Sequence, residues 1–407
     1  MGLVDDIEKY IRRGEKKSKN LGLEIEHFVV DKDGNQILFD LVTKLIEEVS
    51  NKRGAKNILV DGYVVGYITD EYTVTLEPSC QFEISIRPES EIVAIRTIYQ
   101  KFIDIWQPVF ADHGYTMVTA GNLPIVELGK ISPEEIPLSA KKRYKYMDKY
   151  FKAISPYGRY MMRASGSTQV SVDYSSEKDL LRKLRIIQIL SPVFMILMEN
   201  KVSETSTLPD SEGKTHLLRT QEWDLLDPAR TGYYPHSFDE GFGYSRIANV
   251  IADTPLILLS KGGETTYVGN ANATKLIESG VIDYDAASDD EKIKLIEHFI
   301  SMGFFHCRVK QYIEIRVADS VPIEKALAYT ALLKGLLYSD KSLDILDDEI
   351  KNITKISQIQ DATEAIERAG FDAVIYNNEK AKIWIDKIKD IASKALPEKE
   401  TAQLAYL

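Results

Sequence analysis

The chain has 407 residues, 44% hydrophobic and 28% charged, enough apolar material for a sizeable core, and its formal net charge is −11. An acid excess with no basic block to track phosphates argues against a general nucleic-acid binder. The only two cysteines, Cys80 and Cys307, lie far apart, which speaks against a disulfide framework or a Cys-rich metal site, and the longest apolar stretches, such as 193–198, are too short to span a bilayer.

The opening MGLVDDIEKYIRRGEKK starts on acids and has no apolar signal core, so a cytoplasmic location is expected. Val4 to Lys19 reads as a charged amphipathic helix. GLEIEHFVV (22–30) is a β-rich run ending in the turn 31–35. A helix over about 40–52 precedes strands near 63–69, 72–77 and 81–86. Between 89 and 112, apolar residues at Ile92, Ile95, Ile98, Phe102, Ile105 and Val109 recur in steps of three and four, which predicts a long helix with one buried stripe. Ser132-Pro133-Glu134-Glu135 has the capping pattern of a helix start. A strand over 168–174 leads into a helix to about Asn200, bent near Pro192. Another capping box, Ser288 to Glu291, opens a helix to about Ser301, and a strand over 310–317 follows. The most basic stretches, Arg12-Arg13 to Lys19 and Lys141-Lys142-Arg143, read as solvated helix faces. Residues 321–407 are almost all helical and read as a C-terminal layer of the domain formed by 1–320. Strands recurring between long helices, each with one polar face, predict an α+β fold, an antiparallel sheet or open barrel with a wet inner side and helices outside.

Residues two apart on a strand share a face. Glu24 and Glu26 therefore point one way and Leu23 and Ile25 the other. Gln81, Glu83 and Ser85 oppose Phe82, Ile84 and Ile86; Gln169, Ser171 and Asp173 oppose Val170, Val172 and Tyr174. Glu314 and Arg316 alternate with Ile313, Ile315 and Val317, and Glu77 precedes Pro78 at a strand end. Polar sheet faces often simply meet water, but these are acid-rich and almost free of Lys. If they converge, their carboxylates repel unless cations sit among them. Oxygen ligands without His or Cys select hard ions such as Mg²⁺, which usually arrives with phosphates. Lys261-Gly262-Gly263-Glu264-Thr265 lacks the spacing of a phosphate-binding loop and reads as a turn, so ATP must be held through metals and arginines. His306-Cys307 reads as core or edge packing, and Cys80 as a buried thiol beside the acids.

The stretches GLEIEHF (22–28), TLEPSCQFEIS (75–85), STQVSVDYSSEKDLLRKLR (167–185), LRTQEWDLLDPARTGYYP (218–235) and YIEIRVADS (312–320) occur in the order of one family. The chain resembles the glutamate–cysteine ligases of the plant and alphaproteobacterial type over about residues 20–320. The resemblance implies a glutamine synthetase-like curved antiparallel sheet forming an open funnel, with helices packed outside and residues 1–320 as the catalytic domain. It implies Glu24, Glu26, Glu77, Glu83 and Glu314 as Mg²⁺ ligands, with Gln169 in place of an amide or His ligand. Arg316 is expected to steady the transferring phosphoryl group, with Arg308 and Lys310 as further ATP contacts. Glu83 and Glu314 join Arg316 in the catalytic set. Arg230, Arg219 and Arg163 are expected to bind substrate carboxylates, with Trp223 and Tyr234 lining the pocket. The implied reaction is ATP-dependent formation of γ-glutamylcysteine through γ-glutamyl phosphate; the substrates are small molecules, with neither nucleic acid nor membrane as partner. Two departures, Ser79-Cys80 where the family commonly has Gly-Gly and Val317 where it has Gly, keep open another amine or acyl substrate. A catalytically inactive nucleotide- or amino-acid-binding relative is a third possibility.

Overall fold

The structure is a computed structural model and describes residues 2–407. Strands run over Leu21–Val30 (β1), Lys56–Val60 (β2), Tyr63–Ile68 (β3), Tyr72–Leu76 (β4), Phe82–Glu89 (β5), Thr116–Val118 (β6) and Ser167–Val172 (β7). Later strands are Thr231–Gly232 (β8), Ile257–Lys261 (β9), Glu264–Gly269 (β10), Phe304–Phe305 (β11), Cys307–Val309 (β12) and Ile313–Asp319 (β13). Nine of them form one antiparallel sheet ordered β12-β13-β7-β1-β5-β4-β3-β2, with β6 also paired to β1. The Lys261–Glu264 turn joins β9 to β10, with Gly262 and Gly263 at φ 60° and 86°, where glycine is at no steric cost.

The alternation read in the sequence divides this sheet into two faces. Leu23, Ile25, Phe82, Ile84, Val170 and Ile315 are fully buried. Helices Ile92–Ala111, Glu177–Leu197 and Ile323–Leu337 pack against β5, β13 and β1 respectively. Burying each such side chain is worth about 1.5–3 kcal/mol, so this face fixes which residues must point the other way. The C-terminal helices share that core: Leu327, Tyr329 and Trp384 belong to the same continuous cluster as Leu23 and Val170.

Several elements differ from expectation for identifiable reasons. The first helix is Leu3–Arg12 and stops well short of Lys19. Gly14 lies so close to Gln311 that a Cβ would stand 2.6 Å from its Cα, and the chain beyond pairs Lys16 N with Tyr174 O at 3.0 Å. Ser132 does form a capping box, but over a single 3-10 turn, Pro133–Glu135. The stripe of the Ile92–Ala111 helix shifts from Ile105 and Val109 to Trp106 and Phe110, because Trp106 Nε1 donates to Tyr67 OH at 2.9 Å. The expected strand over 310–317 is a hairpin: Lys310 N bonds Tyr312 O at 2.8 Å, and Arg308 lies on β12, across from Glu314. The Glu177–Leu197 helix runs on through Pro192. Among the described residues no helix is long and apolar enough to cross a membrane.

Candidate active site

The polar faces of β13, β7, β1 and β5 look into one cavity of about 320 Å³. Register decides which groups meet there. Glu26 lies directly across from Glu83, Glu24 lies between Ser85 and Gln169, and Arg308 lies opposite Glu314. Glu77 joins them from the end of β4, together with Lys310, Arg316 and Arg219. The remaining walls are helical. Arg143, Tyr144 and Met147 come from Lys142–Ile154, Met161 from Gly158–Ala164, and Trp223 from Leu218–Asp224, beside Phe304 of β11.

Five carboxylates and five cations line this space, and they are not evenly mixed. At one end Glu314, 1% exposed, accepts from Arg308 Nε at 2.6 Å, Lys310 Nζ at 2.7 Å and Arg316 Nη1 at 3.1 Å. Burial works against its charge, but the three cations outweigh it and hold the carboxyl well below its ordinary range. At the other end cations lie near, Arg219 by Glu26 and Lys141 by Glu77, but none among the described residues forms an ion pair with these acids. Burial pushes Glu83 well above the usual carboxylate range, and Glu24, Glu77 and Glu26 push it further; Thr75 and Ser85 donate to its Oε1 at 2.9 and 3.0 Å. Glu26 is raised to about 7 by burial and by Glu77, despite Arg219 and the Ser167 N–H at 2.8 Å. Glu24 is raised by burial and by Glu314, against Lys310, Arg316 and Arg308. This acidic end is a buried cluster of like charges that a hard cation would relieve.

The donor chemistry fits magnesium. Among the described residues no three His, Cys, Asp or Glu side chains close a cage from protein alone. Magnesium does not require one, since it keeps waters and is usually bound by one or two carboxylates plus substrate phosphates. Glu24, Glu26, Glu77 and Glu83 are the groups placed to hold it. Glu314 and Gln169 are engaged differently: Glu314 is ringed by cations, and Gln169 Oε1 accepts from Arg316 Nη1.

Of the three arginines expected to bind substrate, Arg219 lines the cavity; Arg163 and Arg230 do not. Arg230 is fully buried, with Nε on Asp227 at 2.7 Å, Nη1 on Pro255 O at 2.5 Å and Nη2 near Tyr150 OH at 3.3 Å. Arg163 pairs with Asp148 and donates from Nε to Ile136 O at 3.2 Å. Both act as clamps between segments. Tyr234 is likewise a buried core ring, packed at a tilt against Phe305. Conversely, the stretch Lys141–Arg143 is a solvated face only at Lys142: Lys141 is buried and Arg143 faces the cavity. The sequence held a signal for this, since Tyr144, Met147 and Phe151 form a helical stripe around those cations.

The two departures from the family pattern stay off the cavity floor. Glu77 is set by a turn in which its N–H donates to Gln81 O at 2.9 Å and Cys80 N to Glu77 O at 3.0 Å. Cys80 sits at φ 65°, the left-handed conformation for which glycine is the natural residue. Its thiol is buried and pushed up to about 12 by that burial, so it is unreactive. Val317 is buried as well.

An antiparallel sheet whose acid-lined face meets cations in one cavity is the architecture of the ATP-dependent carboxylate–amine ligases with the glutamine synthetase-like fold. A glutamate–cysteine ligase from Francisella tularensis, solved in complex with AMP, superposes with a TM-score of 0.52 at 16% identity, covering 96% of this chain and 81% of that one. At that identity the likeness is one of fold. The sequence carries the assignment further: the pattern of glutamate-cysteine ligase family 2 matches residues 20–400, and the chain belongs to that family. Chloroplastic glutamate–cysteine ligase B of rice (Oryza sativa subsp. japonica) is 26% identical over 356 residues, 84% of this chain and 68% of the rice protein. The chloroplastic glutamate–cysteine ligase of Arabidopsis thaliana is 26% identical over 357 residues, 84% of this chain and 64% of its own length.

Proposed function

We propose that this chain is an ATP- and magnesium-dependent glutamate–cysteine ligase that forms γ-glutamylcysteine through γ-glutamyl phosphate. The observation that carries the reading is the division of one cavity into an acidic end and a cationic end, which suits a metal–nucleotide complex laid across strands β5 to β12. Magnesium, when bound through Glu24, Glu26, Glu77 and Glu83, supplies positive charge to the ATP phosphates as the γ-phosphoryl group transfers. Arg316 takes the developing charge of that group, steadied by Glu314 and Gln169, while Arg308 and Lys310 contact the nucleotide phosphates. Arg219 lies over the Trp223 ring and donates at 3.4 Å to Arg316 O, and with its Nε unpartnered among the described residues it is left to receive a substrate carboxylate. The glutamate side-chain carboxylate attacks the γ-phosphorus, ADP leaves with the electron pair of the broken P–O bond, and the amine then displaces phosphate from the acyl carbon. Met147, Met161, Trp223 and Phe304 give the amine substrate an apolar, sulfur-tolerant wall. We place the reaction in the cytoplasm.

The test is phosphate release and γ-glutamylcysteine formation by the purified chain with ATP, glutamate, cysteine and magnesium. Omitting magnesium should abolish both, and Glu83→Gln should lower turnover by at least about 100-fold while the circular dichroism spectrum is kept. Undiminished turnover in that variant would remove Glu83 from the machinery. The two methionines can repack around other side chains, which favours as a second reading the same chemistry on another amine. A panel of amines decides it: cysteine giving no more turnover than the blank would sink the first reading.

A further inference from the structure

The helix Leu218–Asp224 carries both Arg219 and Trp223 to the cavity, so whatever aims its first turn aims two walls of the site. The residue that opens it is badly suited to the task. Leu217 stands at φ 59° and ψ 40°, the left-handed region in which a leucine Cβ crowds the following carbonyl, and its side chain is buried. Such a conformation persists only where the surroundings over-determine it. Here one carboxylate grips both sides of the turn: Glu199 Oε1 accepts from Leu217 N at 2.5 Å, and Glu199 Oε2 accepts from His216 Nδ1 at 2.9 Å. A ring nitrogen that close to a carboxylate oxygen carries its proton. Lys201 Nζ lies 4.0 Å from Oε2 and 3.5 Å from Nδ1, and donates to Thr215 O at 3.1 Å. His216 O accepts from Gln221 Nε2 at 2.7 Å and Leu217 O from Gln221 N at 2.9 Å, so the turn passes its direction straight into the helix. The other side of His216 belongs to the C-terminal layer. Its N–H donates to Glu367 O at 3.1 Å, and Lys214 pairs with the Glu367 carboxylate at 2.7 Å. Gly370, at φ 55°, lies against the imidazole, where a Cβ would stand 2.6 Å from Nε2.

Resting on the ligase reading above, we propose that His216 and Glu199 are positioning residues for the acyl substrate: their grip on the strained Leu217 turn holds Arg219 where a glutamate carboxylate meets it. Neither side chain lines the cavity, so both act through the helix they aim. Without the grip, Leu217 relaxes to an unstrained backbone, the helix turns, and Arg219 swings off its target. The phosphoryl-transfer groups Arg316, Arg308 and Lys310 sit on the sheet and stay where they are. Binding of the acyl substrate is therefore what the grip controls, while the chemical step is left alone. Through Glu367 and Gly370, which box the same imidazole, the C-terminal layer bears on a site that none of its residues lines.

Steady-state kinetics of the purified full chain separate this role from a merely structural one. His216→Ala should raise the KM for glutamate about 10-fold, with kcat and the KM for ATP within about twofold of wild type. Asparagine places its amide nitrogen where the imidazole Nδ1 stood, so His216→Asn should bring the glutamate KM back to within about threefold. Gly370→Ala, which pushes on the same ring from the far side and leaves Glu199 intact, should reproduce the rise. Amide hydrogen exchange reads the same grip without turnover: the Leu217 N–H and the 218–224 helix should exchange faster in His216→Ala and near the wild-type rate in His216→Asn. An unchanged glutamate KM in His216→Ala, a loss that falls on kcat, or asparagine no better than alanine overturns the proposal. A wild type without turnover on glutamate is a different failure, since it brings down the ligase reading. Exchange then still decides the grip: faster exchange confined to His216→Ala upholds it, and unchanged exchange overturns it.

Discussion

Glu83 shows how a single residue can be costly to the fold and useful to the site. Its carboxyl is buried among three others, and that burial together with their like charge holds its pKa well above the usual carboxylate range. A carboxyl whose pKa is higher folded than unfolded binds more protons in the folded state, so its contribution to stability falls as pH rises above the unfolded value. Glu83→Gln removes that penalty while its amide oxygen can still accept from Thr75 and Ser85. We expect the variant to melt at nearly the wild-type temperature near pH 4 and progressively above it toward pH 8. Magnesium with ATP should then close the gap by stabilising the wild type alone. A melting-temperature difference independent of pH would show that Glu83 carries no such strain. The same residue-scale logic separates Arg219 from Arg230. Both are buried arginines in one motif, but Arg230 has spent its donors on Asp227 and backbone carbonyls, whereas Arg219 has a nitrogen to spare.

At the scale of elements, the site is a sheet floor under helical walls, and the two must be held in register with each other. The Lys142–Ile154 helix reaches the cavity through Arg143, Tyr144 and Met147, and its first N–H groups need partners. Asp61, in the turn between β2 and β3, provides one: its Oδ2 accepts from Lys142 N at 2.8 Å. Asp61 is at φ 53°, so glycine can replace it without backbone strain. Asp61→Gly should therefore cost about 1 kcal/mol through the lost bond alone, loosening the helix start. The expected kinetic signature is a KM raised several-fold with kcat little changed. Unaltered kinetics together with an unaltered melting temperature would mean that the turn does not anchor this wall.

Across the whole molecule, one core joins the sheet to the C-terminal helices. The Ile323–Leu337 helix packs on β1 and on the Ile92–Ala111 helix, and nearly all its apolar residues are fully buried. We infer that residues 321–407 are a layer of the same domain and not a detachable unit. A chain truncated after Ser320 would expose this surface of β1, and it should show no cooperative melt by calorimetry. A cooperative transition in the truncated chain would establish residues 2–320 as a domain in their own right.

Alternation within each strand is a local property, and it was readable from residue order alone: which of Glu24 and Ile25, or Glu83 and Ile84, faces oil follows from a period of two. The same holds for the acid-rich character of the polar face and for the helical stripes, apart from their drift by one residue. Long-range facts had no such local signal. Only the strand order β13-β7-β1-β5 sets Glu26 against Glu83, and only the tight 310–312 turn folds Arg308 back over Glu314. Whether an arginine clamps backbone or faces a ligand depends on carbonyls well removed along the chain, Ile136 for Arg163, Pro255 for Arg230 and Arg316 for Arg219, so the three look alike in sequence and differ in space. Local spacing determines direction; which surfaces converge is decided by packing.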